Sequence, residues 1–163
     1  MKLEIERKFL VKKKPNLNGI APVQQERFYL FQGQDIELRI QTKNDYFELE
    51  RKTNQGEYSR DSQKLALSKT EYETLKKIGQ NKTLRDSYSI TKKPNVKLKI
   101  YHGAHEGLIR AEIEFDSIED AKRFQPFDWM GTEITATPLG RDTELGQLNR
   151  NQFLAELKKH QHN

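Results

Sequence analysis

The residues Met1-Lys2-Leu3-Glu4-Ile5-Glu6-Arg7-Lys8-Phe9-Leu10-Val11 decide how the rest of the chain is read. Successive side chains of a strand point to opposite faces, so Glu4, Glu6 and Lys8 share one face while Leu3, Ile5 and Phe9 share the other. Two acids and a base in a row either face water or line a polar interior. The pattern returns downstream. In residues 23–31 Phe28 and Leu30 oppose Arg27 and Tyr29, and in residues 35–42 Ile36, Leu38 and Ile40 oppose Glu37, Arg39 and Gln41.

Turn signals separate further segments of this kind. Lys43-Asn44-Asp45 marks a tight hairpin into a strand over residues 46–52, and Thr53-Asn54-Gln55-Gly56 leads into a fifth from about Glu57 to Leu67. Residues 83–91, 96–102 and 107–116 complete eight strands. Ser68-Lys69-Thr70-Glu71 reads as a capping box opening a helix up to Gly79. A second helix starts at Ser117 and ends before Pro126, and a third spans residues 149–159.

The bulk properties agree with a folded chain that has much polar lining. Its 163 residues fit one domain, 1–163, and are 34% hydrophobic and 33% charged, with a mean hydropathy of −0.96. No cysteine is present, so disulfides and thiolate metal sites are excluded and any metal is held by oxygen. No apolar run approaches the roughly 18 residues of a membrane span, and no apolar leader precedes the first strand, which makes the cytosol the expected location. A net charge of +5 favours an anionic partner without saying which.

Antiparallel strands joined by short turns, with three helices inserted late, predict a mainly β (α+β) fold: an eight-stranded antiparallel closed β-barrel with about three covering helices. Glu4, Glu6, Lys8, Glu37, Arg39, Glu112 and Glu114 all fall on the polar faces, and helices are available to cover an apolar outside. A barrel with a charged, water-filled lumen follows.

Four motifs in order, Glu4-Ile5-Glu6-Arg7-Lys8, Ile36-Glu37-Leu38-Arg39, Ala111-Glu112-Ile113-Glu114-Phe115 and Trp129-Met130-Gly131-Thr132-Glu133-Ile134-Thr135, resemble the CYTH family, also called triphosphate tunnel metalloenzymes. The resemblance spans nearly the whole chain. It implies a tunnel that binds a triphosphate with Mg2+ or Mn2+, in a family whose members hydrolyse inorganic triphosphate, thiamine triphosphate or nucleotides, remove RNA 5′ phosphates, or cyclise ATP. Lys8, Arg39 and Arg60 match phosphate-contacting positions, with Arg85 and either Arg51 or Lys52 added; face logic favours Lys52. Glu4, Glu6, Glu112 and Glu114 match the metal-binding carboxylates, and Lys8, Glu4 and Glu6 are the expected catalytic groups. Tyr29, in phase with Arg27, either orients an attacking water or forms tunnel wall. The interleaved acids and bases are expected to compensate one another when no ligand is bound.

The chain departs from the family pattern in several places. Gln41 stands where a second arginine is usual, Asp61-Ser62-Gln63-Lys64 replaces an alternating pair of glutamates, and Lys97 and Lys99 stand where an aspartate is typical. Lys82 and Arg85 are spaced so that both cannot share one strand face, and Pro138-Leu139-Gly140-Arg141-Asp142 lacks the usual Arg-Tyr and Asn. The resemblance thus implies a divergent triphosphatase acting on an inorganic or organic triphosphate. Its alternatives are a catalytically reduced module for a triphosphate or an RNA 5′ end, and a class IV-type adenylate cyclase. A monomer or homodimer is expected. Trp129 reads as a cover for one barrel end, the lysines at 12–14 and 158–159 as solvated, His102 and His105 as polar loop residues, and His160 and His162 as a frayed tail.

Overall fold

A computed structural model describes residues 2–56 and 58–161. Strands β1 (Lys2–Val11), β2 (Val23–Gln32), β3 (Ile36–Lys43), β4 (Tyr46–Asn54) and β5 (Ser59–Leu67) precede helix α1 (Lys69–Lys76). Then come β6 (Gln80–Lys92), β7 (Asn95–His102), a 3-10 turn (Gly103–His105), β8 (Ile109–Phe115), α2 (Ile118–Arg123), β9 (Met130–Glu133), α3 (Asp142–Leu145) and α4 (Arg150–Gln161). Glu57 as a strand start, and His162, lie outside the described residues.

The sheet runs β5-β4-β3-β2-β6-β7-β8-β1-β9, and a further β1–β5 pairing closes β1 to β8 into a barrel of antiparallel neighbours. Closure removes the free edges that an open sheet of this length exposes. β1 pairs with β5 only over residues 2–5; farther along, β9 takes that edge through Phe9↔Glu133 and Val11↔Met130. β9, the short α3 and the division of the last third into separate pieces were not expected from sequence. Four residues are too few to show a period.

The capping box forms as read: Ser68 Oγ accepts from the Glu71 amide at 3.1 Å and the Glu71 carboxylate accepts from the Ser68 amide at 2.6 Å. Tyr72 is the buried anchor of that helix, and its hydroxyl donates to Glu26 at 3.0 Å. On the outer wall Phe9, Val96, Ala111, Ile113 and Met130 form an apolar cluster under α2, joined by Phe124 and Trp129. Each large member contributes about 1.5–3 kcal/mol by burial. Trp129 therefore packs on the barrel side, stacked on Phe127, and does not cover an end. Arg7 pins this layer: its guanidinium forks onto Glu133 at 2.8 and 2.7 Å and donates to the Ala121 carbonyl at 2.8 Å.

A second core closes one end of the barrel. Leu10, Tyr101 and Leu108 from the barrel meet Ile134, Leu139, Leu145, Phe153 and Leu157 from the segment after β9 and from α4. His105 is buried here, its Nε2–H donating to the Leu145 carbonyl at 2.9 Å, so it is a core residue and not a loop one. His160 belongs to α4 and lies 3.4 Å from Glu156 one turn back. Among the described residues no helix is long and apolar enough to cross a membrane.

Candidate active site

Strand parity turns one polar row from each barrel strand inward. Glu4, Glu6 and Lys8 come from β1, Gln25, Arg27 and Tyr29 from β2, Glu37, Arg39 and Gln41 from β3, and Glu48, Glu50 and Lys52 from β4. Arg60 and Ser62 follow on β5, Arg85 on β6, Lys99 on β7, and Arg110 and Glu112 on β8. Three cavities share this lining. One of about 200 Å³ is edged by Lys43, Lys64, Lys97 and Glu114, and one of about 350 Å³ lies beside Tyr58, Arg60, Gly140 and Arg141. A narrow waist of about 50 Å³ between them is lined by Lys8, Arg27, Arg39, Arg85, Arg110 and Asp142. Glu6 and Lys52 line all three.

The inward charges are paired with one another. Arg39 reaches Glu50 at 2.7 Å on one side and Glu37 at 2.7 Å on the other. Glu50 also accepts from Ser62 at 2.7 Å, Lys52 bonds Glu4, and Lys8 stands 3.2 Å from Glu6 while donating to the Gly140 carbonyl at 2.9 Å. Gln41, the missing second arginine, bonds both Arg27 and Glu48 and keeps the row connected without a charge. Gly140 is required where it stands, because a Cβ there would lie 1.9 Å from the Ile134 carbonyl oxygen.

Burial and charge pull these groups in opposite directions. Burial alone raises the Glu6 carboxyl, but Lys8, with Lys52 and Arg60 behind it, holds it down at about 2. Glu112 and Asp142 are likewise held well below the carboxylate range against the upward push of burial, Glu112 by Arg110, Lys99, Lys8 and Arg85, and Asp142 by Arg110, Arg85 and Arg27. Lys8 and Lys99 shift down because burial penalises their charged form, and for Lys99 the neighbouring Arg85 adds to it. The Tyr29 phenol is pushed up to about 12 by burial.

Most of the expected residues meet in this lumen, with one clear correction. Arg51 is exposed on the outer face, where it bonds Thr53 at 3.3 Å, whereas Lys52 points in; a residue directly next to an inward one in a strand points out. The Lys82–Arg85 pair resolves the same way, Arg85 inside and Lys82 outside against Glu26. Tyr29 is on the inner face, buried, yet lines none of the three cavities, and its hydroxyl has no hydrogen-bond partner. Sequence reasoning passed over Arg110 and Asp142. Arg110 was within reach, two residues before Glu112 on the same face. Asp142 had no such signal, because it arrives from a four-residue helix outside the sheet.

The acids suit a hard cation in chemistry: Glu6 sits opposite Glu114 and Lys8 opposite Glu112 on the β1–β8 ladder, which places three carboxylates along one inner wall. No three such groups among the described residues converge on one point as they stand. Lys8 and Arg110 hold Glu6 and Glu112, and Asn95 lies 3.3 Å from Glu114.

A closed antiparallel barrel with a lumen of alternating acids and bases is the architecture that the resemblance to the triphosphate tunnel proteins implies. No family model matches the chain. A protein described as inorganic triphosphatase from Nitrosomonas europaea is 27% identical over 135 residues, 81% of this chain and 89% of its own. The crystal structure of the inorganic triphosphatase NE1496 aligns with TM-score 0.67 at 26% identity, over 91% of this chain and 97% of that one. A putative adenylate cyclase from Bacillus halodurans shares the fold, with TM-score 0.57 at 18% identity over 75% and 86% of the two chains. In sequence and in fold the chain is similar to these triphosphatase-type proteins.

Proposed function

We propose that this protein hydrolyses a triphosphate-containing small molecule, inorganic or organic, inside the tunnel, with Mg2+ or Mn2+ as cofactor. The observation that carries the reading is the ring of Lys8, Arg39, Lys52, Arg60 and Arg85 around one narrow passage that also holds Glu6. A triphosphate spreads negative charge over its non-bridging oxygens, and stabilising the charge that builds there during transfer is most of what a catalyst can do. Arginine forks suit this role because each engages two oxygens in a fixed plane. Binding exchanges partners: phosphoryl oxygens replace the carboxylates now held by Lys8, Arg39 and Lys52, and the carboxylates are released.

Glu6, Glu112 and Glu114, with Glu4 beside them, would hold the metal. Bound there, Mg2+ or Mn2+ would polarise the phosphoryl group and offset its charge. Lys8, fixed by the Gly140 carbonyl, orients the phosphate to be cleaved. Tyr29 is protonated at neutral pH, as an ordinary phenol is, and burial, which pushes it up to about 12, takes it further from acting as a base. The reading takes residues 1–163 as one domain, monomeric or homodimeric, in the cytosol.

A second reading is favoured by one observation: Glu4, Glu6 and Glu112 already carry cation partners, and among the described residues no three acids converge. On it the protein is a binding module for a triphosphate or an RNA 5′ end. Incubation with Mg2+ or Mn2+ and inorganic triphosphate, ATP or thiamine triphosphate separates the readings. Orthophosphate release, lost in Lys8→Ala, is the expected result. Pyrophosphate with cyclic AMP overturns it in favour of a cyclase, and tight binding without turnover in favour of the module.

A further inference from the structure

Asp142 is unlike every other lumen acid, because it is delivered from outside the barrel. Arg39, Lys52 and Lys8 are paired with glutamates on the barrel strands themselves. Arg27 on β2, Arg85 on β6 and Arg110 on β8, the last also holding Glu112, converge on a carboxylate carried by α3, in the segment that closes the barrel end. Its Oδ2 accepts from Arg27 and from Arg85 at 2.9 Å; its Oδ1 accepts from the Tyr101 hydroxyl at 2.8 Å and lies 2.9 Å from Arg110 Nη1. Donors from four strands around two anionic oxygens are what a tunnel wall offers a phosphoryl group. The cluster borders the waist that also exposes Lys8, Arg39 and Lys52, so the cationic track continues past Lys8 and ends on a carboxylate belonging to the protein.

We propose that Asp142 is a specificity-determining residue: it fills the anion position offered by Arg27, Arg85 and Arg110 and so limits how many phosphoryl groups of a linear polyphosphate the tunnel accepts. The chain-length consequence rests on the polyphosphate reading of the tunnel; the anion position itself does not. Changing the carboxylate to an amide of equal size leaves the three guanidiniums one negative charge short at the inner end of the track. A fourth phosphoryl group supplies that charge, whereas a triphosphate seated at Lys8, Arg39 and Lys52 gains less.

The test compares the full-length protein with Asp142→Asn and Asp142→Ala. Calorimetry with tripolyphosphate and tetrapolyphosphate is expected to show the Asn variant binding the longer chain at least about tenfold more tightly than the parent does, with a smaller gain for the shorter one. Thermal melts are expected to show Asp142→Ala destabilised and raised by millimolar orthophosphate by more than the parent is, since an anion that binds only the folded form stabilises it. If Asp142→Ala aggregates, the same phosphate dependence is read on Asp142→Asn. An unchanged tri-to-tetra preference in the Asn variant, together with no phosphate effect on either variant beyond the parent's, overturns the proposal, because a merely structural aspartate moves neither reading. Rescue by orthophosphate in a protein whose parent binds no polyphosphate keeps the anion position and removes the tunnel function.

Discussion

Two residues along a strand separate opposite building rules inside this barrel. On β1, Lys8 belongs to the charged passage and Leu10 to the apolar plug; on β7 the same step leads from Lys99 to Tyr101, and from Arg110 of β8 it leads back to Leu108, just before the strand begins. All of these side chains share the inward parity. What differs is depth: the passage is open cavity lined by ion pairs, whereas the plug is sealed by Leu139, Leu145 and Phe153, where an unpaired charge would be costly. Parity therefore decides which residues enter the barrel, and the cover over the end decides what they must be.

That contrast predicts a division of labour, with the largest effect in the plug. Phe153→Ala is expected to lower the unfolding free energy by about 3–5 kcal/mol in urea titrations while leaving triphosphate affinity intact in the folded fraction. Loss of affinity with unchanged stability would reverse the two roles. Arg39→Ala is the mirror case: turnover is expected to fall by about 10²–10³-fold, read as orthophosphate release, in a protein that still shows its β-sheet circular dichroism. Turnover within a few-fold of the parent would move the chemistry out of the passage.

Acid stability sharpens the same comparison. The folded carboxyls of Glu6, at about 2, and of Glu112 and Asp142, well below their ordinary values, bind fewer protons than the unfolded chain does. The Glu6 contribution to stability is complete above the unfolded value of about 4.5 and is lost as pH falls from there through about 2; those of Glu112 and Asp142 fall in the same direction on acidification. Urea midpoints are expected to decline steeply across that window, less steeply for Glu6→Gln, and with unaltered steepness for Phe153→Ala. Equal slopes for Glu6→Gln and the parent would show that the Glu6–Lys8 pair does not shift that carboxyl.

The smallest effect separates the inside of the wall from its outside. Arg51→Gln is expected to stay within about 0.5 kcal/mol in stability and to keep parental turnover, whereas Lys52→Gln loses turnover and releases Glu4. A matching loss in both would mean that β4 is shifted by one residue.

Much of this was legible in the residues themselves. Period-two alternation in β1, β3, β4 and β8 was enough to turn Glu4, Glu6, Lys8, Arg39, Lys52, Glu112 and Glu114 inward, and the hydrogen-bond chemistry of Ser68 and Glu71 marked the first helix. Local rules failed where position depends on distant partners. Alternation turns Arg7 outward from Glu6 and Lys8, but the partners it clamps there, Glu133 on β9 and the Ala121 carbonyl of α2, are not readable from the strand. His105 looked like a turn residue, and only the arrival of α3 makes it core.

By itself the sequence determined the face each strand residue takes, because alternation is a property of the backbone and needs no neighbour. It therefore determined that a mixed row of acids and bases lines the barrel. Only the tertiary structure decided where that row stops and which charges meet, because Asp142 reaches Arg27, Arg85 and Arg110 across separations of 115, 57 and 32 residues, the last being 142 less 110. Contacts of that span are set by how the segment after β9 packs into the barrel's end, and no local period records them.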